Sequence, residues 1–483
     1  MASKSLVLGF FLCLLSTTAL ATTRSTHLGG PEFCNLQQLY ATQPNQLFQF
    51  EGGSIERWDV NDEQFQCVNV EPARVTIQPN SLFVPSFHPS PMLVFIEEGE
   101  GIMGVHFPGC AETFDTGVQQ QQQQQQSRRM REQGQQQFSE EGDSHQNVHR
   151  FKRGDIIAIP AGVVHWAYND GNQQVVAIIM NDINNPSNQL DLSPRTFFLA
   201  GGITNQHIQG QQQGHQQRRQ GQQQQGYMNM NNIFSGFDTE LLAEAYNTDP
   251  EIIQSMQRST ENGVIVTVKE PMRFVTPEYE QQGQFHHQSR RQQQGGPSNG
   301  LEEKICSSKV LFNLDNQREA DVFSRQAGKL NTVTEHKLPI LSYMDFSAEK
   351  GILQENAMLS PHWSINSHTV VYVLNGDARI QVVSNNGQAV LDQQVNRGDM
   401  FVVPQFFAST AQAGQNGFEW VAFKTNKSPM KSPLAGYTSV IRAMPLQVVA
   451  NAYSVSPSQA QSLKTNRETE SLLFSPQRTS RIS

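Results

Sequence analysis

The stretch GDIIAIPAGVVHWAYN, residues 154–169, decides the fold. Gly154 opens a turn into the apolar run DIIAI, Pro160 and Gly162 bracket a second turn, and a β-branched and aromatic run follows. Successive side chains of a strand point to opposite faces, so this last run can carry His165 into the interior of a closed sheet. Further short runs of the same kind, ARVTIQ, MLVFIEE and QVVAIIM, lie between Gly, Pro and Asn turns. The pattern predicts an all-β barrel or sandwich.

The stretch recurs. RGDIIAIPAG from Arg153 matches RGDMFVVPQF from Arg397, and upstream of each LVFIEEGEGIMGV matches VYVLNGDARIQVV. Downstream, LLAEAYNTDPEIIQSM (residues 241–256) aligns without gaps on VVANAYSVSPSQAQSL (residues 448–463). An internal duplication fixes the architecture before any motif is interpreted: two pseudo-symmetric β units. The last pair has helical spacing with a proline at the start of a second helix, so each unit carries a small helical appendage. The two Arg-Gly-Asp triplets, each placed before a strand, read as structural turns rather than recognition signals.

Spacings locate the insertions. Gly99 and Gly154 are 55 residues apart against 22 for Gly376 and Gly398, and Arg153 to Leu241 is 88 against 51 for Arg397 to Val448. Gln-rich blocks at about 118–147 and 204–227 account for the excess, and a third polar block, residues 281–299, joins the halves. All three lack the apolar content that offsets ordering entropy and are expected to be exposed, mobile loops. The expected organisation is 1–21 as a signal peptide, 22–280 as the first domain, 281–299 as a linker and 300–483 as the second domain.

The opening MASKSLVLGFFLCLLSTTALA has a lysine, an apolar run and small residues ending at Ala21, the pattern of a secretory signal cleaved there. No other apolar run reaches the roughly 20 residues of a membrane-spanning helix, and the net charge of -9 argues against general affinity for nucleic acid or anionic membranes. Beyond the signal, Cys34, Cys67, Cys110 and Cys306 form an even set in a disulfide-permissive compartment, with three possible pairings. No CxxC spacing suggests zinc.

Gly154, Pro160, Gly162, His165 and Asn169 stand at the spacing of the second cupin motif, G-x5-PxG-xx-H-xxx-N, so the chain resembles the cupins. The resemblance implies two double-stranded β-helix (jelly-roll) barrels. In catalytic cupins that histidine binds metal together with two histidines and a glutamate of the first motif, because Mn or Fe takes three or four N/O ligands. Here PSFHPSPMLVFIEEG keeps His88 but has Ser86 and Met92 where the other histidine and the glutamate belong. In the second half His362 remains, Thr369 replaces the glutamate, and Phe406 and Ser409 replace the glycine and histidine of the second motif. His88, His165 and His362 are therefore expected to be remnants, with no metal, no cofactor and no catalysis. The rival reading is a manganese-dependent enzyme of the oxalate oxidase or decarboxylase type.

CNLQQLYATQPN, GVHFPGC and NGLEEKICSSKVLFNL strongly resemble the legumin-type 11S globulins of seeds, over essentially the whole mature chain. The resemblance implies a storage protein cut after Asn299, before Gly300, by an asparaginyl endopeptidase into an acidic and a basic chain. It implies pairing of Cys34 with Cys67 and of Cys110 with Cys306. It also implies homotrimers, then homohexamers or mixed hexamers, and passage through the endoplasmic reticulum to the seed's protein storage vacuole. Two residue-level observations agree with it. Asn299 ends a Gln-, Gly-, Pro- and Ser-rich stretch of the kind proteases reach. Glutamine makes up about one residue in eight, well above ordinary usage, and with arginine stores side-chain nitrogen. Arginine-bearing tracts such as QSRRMREQ (residues 126–133) leave a carbohydrate- or membrane-binding globulin as a second rival.

Overall fold

The computed structural model describes residues 36–59, 61–107, 148–209, 230–272, 308–316, 318 and 320–476. The signal segment ending at Ala21, Cys34, Cys110, Cys306, the Asn299–Gly300 bond and the block 118–147 lie outside them, as does most of the block 204–227.

The first half folds as two facing sheets. One runs in the order Ile208–Gln209, Gln46–Phe50, Gly53–Arg57, Val70–Ile77, Val175–Asp182, Met92–Glu98, Asp155–Ile159, Leu311–Asn313. The other runs Phe197–Phe198, Ser81–Phe87, Val164–Asn169, Glu100–His106, Val148–Lys152, with Ile265–Thr267 also paired to Ser81–Phe87. Strands buried on both faces read as continuous apolar runs: every residue of Asp155–Ile159 is buried. The turn ahead of that strand is held by Asp155, whose carboxylate accepts the backbone N–H of Lys152 at 2.8 Å.

The second half closes through longer strands. Thr369–Val383 pairs along its length with Ala408–Lys424, and these two carry the sheet around the barrel. Gly376 matches Gly99 in the duplication. Gly99 lies between two strands, whereas Gly376 sits inside one, at a register shift with φ 71°. Each helical appendage is a pair, Thr239–Tyr246 with Pro250–Arg258 and Leu446–Ala452 with Pro457–Thr465. Proline starts the second helix of each pair, where its missing N–H costs nothing. Ile253 and Ala460, equivalent in the duplication, are both fully buried, while Leu241 and Val448, Tyr246 and Tyr453 are exposed in both pairs.

The halves exchange segments. Leu311–Asn313, which follows the linker, adds an edge strand to the first barrel. Leu39 and Thr42, ahead of the first barrel, hydrogen-bond to Val390 and Met400 of the second. Between the barrels, Arg397 of the second Arg-Gly-Asp triplet contacts Glu97 at 3.1 Å and Glu98 at 2.7 Å, and the Tyr372 hydroxyl donates to Glu97 at 3.2 Å. That triplet is an inter-barrel clamp.

One expectation is corrected at its edge. Residues 204–209, placed in the second Gln-rich block, are ordered: Asn205–His207 forms a turn and Ile208–Gln209 pairs with Leu47 and Phe48. The reason is local apolar content, since the His207 ring lies 4.9 Å from that of Phe50 and Ile203 is buried. Cys67, on the short helix Glu63–Val68, is disulfide-bonded, and it is the only cysteine among the described residues.

Candidate functional site

The strand register superposes the two barrel interiors. In the first barrel Ser86 stands opposite His165, and in the second His362 stands opposite Ser409. Each barrel has kept a histidine at one of these facing positions and replaced the other with serine, in reciprocal fashion. Met92 and Thr369 begin the next strand in each, paired with Asn181 and Lys424. These positions thus fall on matching strands of the two barrels.

In the first barrel the His88 and His165 rings stack 5.7 Å apart. Burial, with His165 beside it, pushes His88 down to about 3, although it hydrogen-bonds to the backbone of Arg195. Burial likewise pushes His165 down to about 4, against a hydrogen bond between Nδ1 and the Val163 carbonyl at 3.2 Å. His165, but not His88, borders a cavity lined also by Val75, Val94, Ile96, Phe151 and Ile157. Two neutral imidazoles, a thioether and the buried Ser86 hydroxyl, which has no hydrogen-bond partner, do not fit Mn or Fe, which need an anionic oxygen ligand beside the nitrogens. Among the described residues no group of three His, Cys, Asp or Glu side chains could hold a metal ion.

The second barrel is different in kind. Its cavity is lined by the polar side chains of Glu349, His362, Thr369, Lys424 and Lys431 and by the apolar ones of Val371, Phe401, Phe418 and Trp420. Glu349 forms a short ion pair with Lys431 and accepts the Thr332 hydroxyl at 3.3 Å. Although burial opposes it, the Lys431 and Lys424 ammoniums hold this carboxyl down to about 2. Burial and Lys431 push His362 down to about 4, and its Nδ1 bonds the Ser360 carbonyl at 2.8 Å. Burial lowers Lys424 to about 8. Two ammoniums beside one imidazole repel a metal cation, so this barrel does not fit one either.

Sequence reasoning missed Glu349, Lys424 and Lys431, because it searched only the motif positions. A signal was present for Lys424. The period of two along the end of its strand puts it on the face of Trp420 and Ala422, all three of which line the cavity.

Residues 39–205 and 312–461 each match the cupin family. Over 477 residues the chain is 49% identical to "11S globulin seed storage protein 2" of Sesamum indicum, covering 99% of both chains. It is 41% identical over 514 residues to "11S globulin seed storage protein 1" of Carya illinoinensis, covering 99% of this chain and 98% of the relative. Among solved structures, procruciferin, an 11S globulin of Brassica napus, superposes with a TM-score of 0.75 at 34% identity, over 93% of this chain and 99% of that one.

Proposed function

The chain belongs to the 11S globulin seed storage proteins, and from that premise we propose that it is a non-catalytic nutrient reservoir whose two cupin barrels serve as a scaffold for nitrogen-rich loops. The observation that carries the non-catalytic part is the reciprocal loss of donors, which leaves each barrel one histidine of the facing pair and no motif glutamate. Loops rich in Gln and Arg add nitrogen while the barrels stay unchanged, because lengthening a surface loop raises closure entropy only slowly.

The reading extends to processing and assembly. The precursor loses residues 1–21, passes through the endoplasmic reticulum to the protein storage vacuole, and is cut between Asn299 and Gly300 by an asparaginyl endopeptidase. Cys110–Cys306 then links the acidic and basic chains, and Cys34–Cys67 tethers the mature N-terminus. The disulfide state of Cys67 supports the second pairing. Homotrimers form first and hexamers, homomeric or mixed with paralogues, after the cut. The helix pairs support head-to-tail contacts around a ring, because Leu241, Tyr246, Val448 and Tyr453 expose apolar surface at duplicated positions. Neither nucleic acid nor membrane is a partner in this reading. No described helix is long and apolar enough to cross a membrane.

Metal analysis of the purified seed protein, with an assay for oxalate turnover, tests the non-catalytic part. Substoichiometric Mn and Fe without turnover is expected; stoichiometric metal with turnover overturns it. Non-reducing denaturing electrophoresis tests the covalent link. One band near the mature mass that splits only on reduction is expected, and two bands without reductant would refute the Cys110–Cys306 pairing.

A further inference from the structure

We propose that the interior of the second barrel binds a small monocarboxylate with a short apolar tail, seated between Lys424, Lys431 and the Thr369 hydroxyl. The storage reading assigns no ligand to this cavity, whose charges do not balance. Lys424 is 2% exposed and Glu349 4%, so neither is relieved by bulk water. Two ammoniums and one carboxylate leave one positive charge over. The carboxylate is already engaged, by Lys431 and by the Thr332 hydroxyl. Lys424 forms no ion pair among the described residues, and its only hydrogen bond there is a long one to Thr369 Oγ1, at 3.4 Å.

A buried ammonium with most of its donors unused is costly. An anion in the cavity removes that cost and offers the missing acceptors. Thr369 and Ser409 also line the space and can turn their hydroxyls toward a carboxylate. A cation is excluded by the two ammoniums, and a doubly charged anion would exceed the one surplus charge. The apolar lining, Val371, Phe401, Phe418 and Trp420, with the last two further along the strand from Lys424, suits an apolar tail. The equivalent positions of the first barrel lack the device: Asn181 stands where Lys424 does, and Ala73 where Glu349 does.

The test is calorimetric titration of the full chain with sodium acetate in a buffer whose own anion is too bulky for the cavity. One saturable site per chain is expected. Lys424→Met, which keeps the apolar stem, should weaken acetate binding at least tenfold. Glu349→Gln should strengthen it at least tenfold, because it removes the internal competitor for the ammoniums. His165→Gln, in the other barrel, should leave it unchanged. If Lys424→Met does not fold by circular dichroism, Thr369→Val replaces it, with weaker binding expected. Absence of saturable binding to the folded wild type overturns the proposal. So does equal binding by the folded lysine variant, weaker binding by Glu349→Gln, or loss of binding in His165→Gln. Chloride that displaces acetate at equal concentration overturns the carboxylate assignment in favour of a halide.

Discussion

At the residue scale, the buried histidines tie barrel stability to acidity. His165 is held at about 4 by burial, against 6.5 when free. Between these values the unfolded chain binds a proton that the folded chain refuses. Stability from this residue is therefore complete above pH 6.5 and is lost as the pH falls toward 4, by up to about 1.4 kcal/mol per pH unit. Replacing His165 with Gln should flatten the decline of urea-unfolding free energy between pH 6.5 and 4.5 while leaving the curve above pH 7 parallel to wild type. An unchanged slope would show that His165 takes up its proton without unfolding. The position of His165 inside the barrel was legible from a five-residue pattern, because turn residues and strand period together fix which way it points. Lys424 and Glu349 were not, because their meaning depends on which strands are neighbours, and pairing is set by the whole sheet.

At the element scale, a register shift in the long strand Thr369–Val383 falls at one glycine. A Cβ on Gly376 would lie 2.1 Å from the Gly417 carbonyl oxygen, at a φ of 71°. Gly387 has a similar φ of 77° but open space around it. Gly376→Ala should therefore cost at least about 2 kcal/mol and Gly387→Ala only about 1, as read by denaturant unfolding. Equal costs would mean that the backbone at Gly376 relaxes freely. The helix pairs give the second prediction at this scale. Tyr246→Asp combined with Tyr453→Asp should leave the barrel circular dichroism intact and reduce the light-scattering mass to that of a single chain. Retention of the assembled mass would place the subunit contacts elsewhere. Both helix pairs were legible from their period and their prolines. The unbroken run of Thr369–Val383 was not, since Asn375-Gly376-Asp377 has the composition of a turn and is carried through only by its pairing with Ala408–Lys424.

At the scale of the whole molecule, the two halves interlock through backbone pairing and ion pairs. The strand Leu311–Asn313 is hydrogen-bonded into the first barrel, residues 39–42 dock on the second, and Glu97, Glu98 and Arg397 span the joint. On the proposed processing, a cut at Asn299 would leave two chains still held by these contacts. The duplication revealed both barrels in the sequence, but not this exchange, because a three-residue strand has no periodicity to detect. The most direct test of the storage claim is quantitative mass spectrometry of seeds from maturation through germination. The account predicts a chain that accumulates to high abundance with a new N-terminus at Gly300 and is then depleted as the seedling grows. A low, constant level of uncut chain throughout germination would contradict it.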